Sequence, residues 1–286
     1  MILVTGATGT IGSEVLRLLA ARGEVVRAMT RNPAKVTTTP GVEVVRADFD
    51  NPASLQEAVT GVGAVFLLTA PETPTPRHDL AMLRAAGLAG VARVVKLSAI
   101  GTGEKADDGG TVGAWHLDAE RALRASGMAW TLLRPTTFAS NVLGWAGAIK
   151  AGEPIPNMTG SGRQGVIDPR DVAAVAAEIL LSSSAAGRTY TLTGPDLLDV
   201  PDQAACLEQV LRYPVKTVDV PLHTAQKQML GHGMDNSMVD AVITALAWVR
   251  AGGNAVLTGD VAQVLGRPPA TFRTWAQDHK DAFIRG

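Results

Sequence analysis

Through the first 135 positions, short runs of β-branched and aliphatic residues alternate with longer stretches whose apolar positions recur every three to four residues. This rhythm predicts parallel strands joined by crossover helices, since a strand covered on both faces has no polar side to alternate with. Strands are predicted at 2–5, 25–29, 42–46, 64–68, 93–97 and 129–133, and helices at 11–22, 52–60, 77–89 and 114–126. In the first helix Ile11, Val15, Leu18 and Leu19 share one face. In the second, Asn51 is a cap followed by proline in the first turn. Six β units in this order read as an α/β Rossmann-type doubly wound parallel sheet.

Beyond Pro135 the rhythm changes. Helices are predicted at 169–182, 202–212, 235–251 and 271–283, with short strands near 164–167, 188–193 and 215–219. The chain therefore divides into a dinucleotide-binding core over 1–150 and a smaller, mainly helical substrate lobe over 151–286, part of which returns to the core sheet. Ligands of such sheets lie outside the carboxyl ends of the strands, so the second half is expected to close over that edge. The polar segments Thr73 to Pro76 and Asp107 to Gly110 read as mobile loops on the same side.

Composition narrows the class. With 46% hydrophobic residues against 19% charged, the chain can bury a core and is not disordered. A formal charge of −1, with no basic half, gives no footprint for nucleic acid. One cysteine, Cys206, on an apolar helix face, makes no internal disulfide, and no apolar run approaches the roughly 18 residues that cross a bilayer. The opening MILVTGATG carries no basic leader, which reads as a cytoplasmic protein acting on a small molecule.

The chemistry begins directly after the first strand. Gly6, Gly9 and Gly12, in GATGTIG, stand where a strand turns into a helix. Glycines at this spacing permit a tight turn, a close approach of backbone to pyrophosphate, and packing of helix on strand. The free N–H groups of the helix start then hold the phosphates. An acid about 20 residues further on would accept from the ribose hydroxyls of NAD. This chain instead has Arg31, whose guanidinium suits a 2′-phosphate, so NADPH is the expected cofactor. Asp48 and Phe49, ending the third strand, are candidates for the adenine amine and ring.

Together GATGTIG, TRNPAK, ADFDNPASL, the LLTAP loop, LSAIG, WHLDAERALRASGMAWTLLRP and GVIDPRDVAAVAAEIL resemble the NmrA-like atypical short-chain dehydrogenase/reductase family. The likeness is strongest to its bacterial branch of NAD(P)H:quinone oxidoreductases and triphenylmethane reductases. By that resemblance Gly6, Thr8, Gly9, Thr10, Ile11, Gly12, Arg31, Asp48, Phe49, Thr69, Ala70, Pro71 and Ser98 line the dinucleotide. Pro135, Thr136, Thr137 and Phe138 wall the nicotinamide. One departure matters: the Tyr-x-x-x-Lys pair of typical members is missing. The two tyrosines are Tyr190 and Tyr213, and the corresponding helix reads Trp115-His116-Leu117-Asp118-Ala119-Glu120.

His116 and Glu120 stand four residues apart on one helix face, where a carboxylate can fix the imidazole tautomer and raise its pKa. His116 is thus the candidate proton donor or substrate anchor. Trp115, Phe138, Asn141 and Trp145 are candidates for an aromatic pocket wall, and Met234, between Met229 and Met238, for a soft cover. Asp168-Pro169-Arg170-Asp171 reads as a helix start rather than an acid pair. His223, His232 and His279 lack partners at metal-ligand spacing. Residues 235–251 carry a broad apolar stripe that serves either the core or a homodimer contact. The expected function is an NADPH-dependent reductase of a quinone-like or other conjugated electrophile. The alternatives are a non-catalytic NADP(H)-binding regulator of the NmrA type, or a tailoring reductase of secondary metabolism.

Overall fold

The computed structural model describes residues 1–36, 40–182 and 184–284. The alternating first half folds as β1 (Ile2–Val4), α1 (Thr10–Ala21), β2 (Val26–Thr30), β3 (Val42–Arg46), α2 (Pro52–Val59), β4 (Ala64–Leu67), α3 (Arg77–Leu88), β5 (Arg93–Leu97), α4 (Ala114–Ala125) and β6 (Ala129–Pro135). Asn51 caps α2 by accepting from the Ser54 N–H, as its position before Pro52 implies. The second half supplies α5 (Ala146–Ala151), β7 (Ile155–Asn157), α6 (Pro169–Leu181), β8 (Arg188–Leu192), α7 (Val200–Leu211), β9 (Thr217–Asp219), α8 (Leu222–Gly231), α9 (Asn236–Arg250), α10 (Asp260–Leu265) and α11 (Phe272–Asp278).

Seven parallel strands lie in the order β3-β2-β1-β4-β5-β6-β8. The winding reverses between β1 and β4, which opens a crevice at their carboxyl ends. The last strand comes from the second half: β8 pairs with β6, placing Tyr190 opposite Leu133. One face of the sheet packs on α1 and α6, where Ile11, Val15 and Leu19 meet Val172, Val175, Ala176 and Ile179. The other face buries Leu55, Met82, Leu83 and Leu123 against Leu3, Val65, Val94 and Leu132. Asp168 opens α6 by accepting from the Arg170 N–H at 2.8 Å. Asp171 receives Arg267 at 2.7 Å and the Ala270 N–H at 2.6 Å, tying the C-terminal segment to the same helix end.

A third core, with Leu207, Phe272, Trp275 and Phe283, sits under α7 and α11, and β7 and β9 form a two-stranded parallel sheet. Cys206 packs against this core, and burial pushes its thiol up from the ordinary value. Several expectations for this half are corrected. Residues 164–167 form no strand but two single bridges, Phe138 to Ile167 and Gln164 to Leu198. A Cβ at Gly165 would meet Thr193 and the Val256 carbonyl at 2.9 Å, so the segment lies close against its neighbours there. The expected helix over 271–283 stops at Asp278. The helix α8 escaped the reading because its stripe is thin: Leu222, Ala225 and Met229 share a face, and Ala225 alone of these is buried. The Asp107 to Gly110 loop is hooked onto α9 by the Thr244 hydroxyl, which donates to Asp108 at 2.9 Å. Trp248 of α9 lies over Gly101, whose φ of +72° and lack of a Cβ make room for the indole.

Candidate active site

A cleft of about 560 Å³ occupies the crevice. Its walls are the segments leaving β1 (Gly6 to Gly9), β2 (Thr30 to Asn32), β3 (Ala47 to Asp50) and β4 (Leu68, Ala70 to Thr73). The first segment is shaped by missing side chains. Gly6 has a φ of +62°, and a Cβ there would stand 2.8 Å from the Leu68 side chain. A Cβ at Gly12 would overlap the Gly6 carbonyl. Gly9, by contrast, lines the cleft, and a Cβ there would meet the Gly6 carbonyl oxygen at an ordinary 3.4 Å. Gly9 caps α1 with no side-chain bond, so the first N–H groups of the helix stay available to an anion. A pyrophosphate fits such a cradle. Ile11 and Gly12 are buried and shape the turn without lining the cleft, while Thr10 is exposed at the helix start.

Arg31 is exposed between this cleft and an adjoining recess of about 410 Å³ shared with Arg46, Asp48, Asn51 and Ser54. Among the described residues neither Arg31, Lys35 nor Arg46 has a carboxylate partner. Asp48 Oδ1 accepts from the Asp50 N–H at 3.1 Å, and Phe49 stacks on His78 with centroids 5.2 Å apart. Asp50 in turn accepts from Arg77 at 2.5 Å and faces His78 Nε2 at 3.1 Å, joining two sides of the cleft.

The wall after β4 is fixed from behind. The Thr5 hydroxyl donates to the Leu68 carbonyl and accepts its N–H, each at 2.8 Å. The Thr69 hydroxyl turns away from the cleft and donates to Asp79 Oδ2 at 2.9 Å. Lys96 Nζ donates to Asp79 Oδ1 at 2.5 Å, and both charged side chains are 0% exposed. The sequence reading missed this pair, although a lysine inside the apolar run VVKLS was a visible signal.

At the end of β5 the expected pairing of His116 with Glu120 is absent. Glu120 accepts from Ser98 Oγ at 2.6 Å and from Arg134 at 2.9 and 2.6 Å, with Arg124 at 3.1 Å. Burial pushes the Glu120 carboxyl up, but the bonds from Arg134 and Ser98 and the charges of Arg134 and Arg124 outweigh it, leaving it below the usual range. His116, expected to have a raised pKa, is instead lowered to about 3, first by burial and then by the charges of Lys96 and Arg134. Among the described residues its Nδ1 has no hydrogen-bond partner. Thr136 donates to Asn254 at 3.0 Å, Asn254 donates to Gln164 at 3.0 Å, and Thr137 donates to the same Gln164 oxygen. Both hydroxyls after Pro135 thus face the second half.

The proposed aromatic wall is divided. Trp115 lies against His116 with rings 4.7 Å apart, Phe138 packs on the main core, and Trp145 packs on the third core. Asn141 is exposed, and so is Met234 just before α9. Their separation follows from the short 3₁₀ segment at 139–145, whose buried positions Ala139 and Val142 turn toward α11.

Residues 6–183 match the family described as NAD(P)H-binding. The chain is 36% identical over 284 residues to a (4-alkanoyl-5-oxo-2,5-dihydrofuran-3-yl)methyl phosphate reductase of Streptomyces griseus, covering 99% of each. It is 35% identical over 285 residues to an NAD(P)H azoreductase of Xenophilus azovorans, again over 99% of each. The fold is similar to that of an NADPH-dependent quinone oxidoreductase of Escherichia coli complexed with NADPH. The TM-score is 0.86 at 24% identity, over 97% of this chain and 99% of the other.

Proposed function

The chain belongs to the NAD(P)H-binding family and is an NAD(P)H-dependent oxidoreductase, and from that premise we propose a reductase that uses NADPH on a quinone-like or other conjugated, electrophilic small molecule. When bound, the reduced nicotinamide supplies a hydride. In this reading Gly6, Thr8, Gly9 and the start of α1 hold the pyrophosphate, with Thr10, Ile11 and Gly12 shaping the turn. Arg31 takes the 2′-phosphate, Asp48 and Phe49 face the adenine, and Ala70 and Pro71 wall the far side, with Thr69 anchoring them through Asp79. Ser98 and residues 135–138 flank the nicotinamide end.

The state of the protons at α4 carries the choice of acceptor. Ser98 commits its hydroxyl proton to Glu120, Glu120 is held ionised, and His116 is neutral at physiological pH. None of the three is an acid ready to protonate an alkoxide. An acceptor that spreads incoming charge over a conjugated system needs no such donor, because water protonates it later. Binding then contributes through proximity and orientation. The azo and unsaturated-ring reductions named for the two relatives fit this class. Mixing the protein with NADPH and a panel of quinones, azo dyes and simple ketones, and following nicotinamide absorbance, tests it. Ketones turning over as fast as quinones would overturn the reading.

Two smaller outcomes follow from the same geometry. Arg31→Ala is expected to weaken NADPH binding by about 1.5–3 kcal/mol, the range for hydrogen bonds to a charged group, and to leave NADH nearly unchanged. Equal losses for both, read by titration calorimetry, would contradict the assignment. For His116, the folded value near 3 lies below the ordinary 6.5, so between those values the unfolded chain binds the extra proton. Stability from this residue is present above pH 6.5 and lost as pH falls toward 3. His116→Gln should therefore narrow the drop in Tm between pH 7 and pH 4.5. The same change should lower kcat less than about tenfold, below the loss typical of a general acid. A wider drop in the variant, or a hundredfold fall in kcat, would show a different role.

A further inference from the structure

Beyond the Lys96 charge that helps to keep His116 neutral, the buried Lys96–Asp79 pair has no place in the chemistry above, and stability does not account for it. Removing two charges from water is so unfavourable that apolar residues of similar volume often leave a protein as stable or more so. What the pair does is hold one hydroxyl. Asp79 offers its second oxygen to Thr69 at 2.9 Å while Lys96 occupies the first at 2.5 Å. Thr69 stands between Leu68, whose side chain abuts Gly6 of the phosphate turn, and Ala70, Pro71 and Glu72, which line the cleft. Thr5, just after β1, grips Leu68, so Thr69 is the outer of two anchors on this corner.

We propose that Lys96 and Asp79 are positioning residues for the dinucleotide: the ion pair fixes Thr69, and through it holds the 68–72 wall at its distance from the phosphate turn. Neither side chain is exposed, so their route to the dinucleotide runs through Thr69. The lysine holds the Asp79 carboxylate in one orientation, and a carboxylate accepts more strongly than a neutral group would. This inference rests on the cleft being the NADPH site.

Two double variants separate positioning from packing. Lys96→Met with Asp79→Leu removes the ion pair and the acceptor, whereas Lys96→Met with Asp79→Asn removes the ion pair but keeps an acceptor for Thr69. Each is titrated with NADPH, melted, and assayed for KM and kcat. The leucine form is expected to bind NADPH at least tenfold more weakly than wild type, with a matching rise in KM and a smaller change in kcat. The asparagine form is expected to recover several-fold of that loss even where its Tm is the lower of the two. Affinities that track Tm, or a leucine form binding within twofold of wild type, would overturn the proposal. Should the leucine form fail to fold, Thr69→Val carries the test, with the same tenfold loss expected and wild-type affinity overturning it. A wild-type protein that does not bind NADPH would remove the premise itself, and its titration is read first.

Discussion

Valine in place of Gly9 is expected to leave the protein folded and to remove measurable NADPH binding, while valine at Gly12 is expected to break the turn itself. The two glycines look equivalent in the sequence but meet different neighbours. Gly9 has extended backbone, with φ −90° and ψ 171°, which any residue adopts, and its Cβ would stand in open cleft. A branched side chain there fills the space in which a pyrophosphate approaches the backbone. Gly12 is buried in α1 against the Gly6 carbonyl, and no rotamer can move a Cβ away from a backbone oxygen. Overpacking against fixed atoms costs about 1–3 kcal/mol or more. A melt and an NADPH titration on each variant decide the matter: wild-type affinity in Gly9→Val, or a wild-type Tm in Gly12→Val, would contradict these assignments.

The largest loss of stability is expected from Asp79→Ala. It leaves the Lys96 ammonium buried at 0% exposure with its ion-pair partner gone. Breaking a buried pair by removing one member costs about 3–5 kcal/mol. For a chain of this size that is a fall in Tm on the order of 10 °C. Scanning calorimetry measures it directly, and a loss under about 1 kcal/mol would mean that water reaches the lysine. The apolar double variant should regain most of this stability, since it leaves no lone charge behind.

The first half was legible because its signals are local. Each strand's apolar run, the cap before Pro52 and the strand–glycine–helix order are all written in neighbouring residues. The cleft was legible in part: Gly6, Gly9 and Arg31, singled out in the sequence, all line it. It was illegible where side chains choose partners across the fold. His116 and Glu120 do share α4, yet Glu120 turned to Arg134 on β6 and Ser98 after β5, because two guanidinium bonds and a hydroxyl outbid a neutral ring. The aromatic wall failed for the same reason: Phe138 and Trp145 found different cores. In the second half α8 and α10 are short and bury a single residue each, so their apolar spacing is too brief to stand out.

The packing of α6 on α1 bears on how the molecule is made. Every residue lining the cleft lies between Gly6 and His78, so the ribosome delivers the cradle early. The helix that covers the back of α1, and the strand that closes the sheet, are encoded only at Pro169–Leu181 and Arg188–Leu192. Until they emerge, Ile11, Val15 and Leu19 lack the α6 side of their cover, and the phosphate turn stands on an unfinished core. Such an intermediate exposes the kind of apolar surface that chaperones bind.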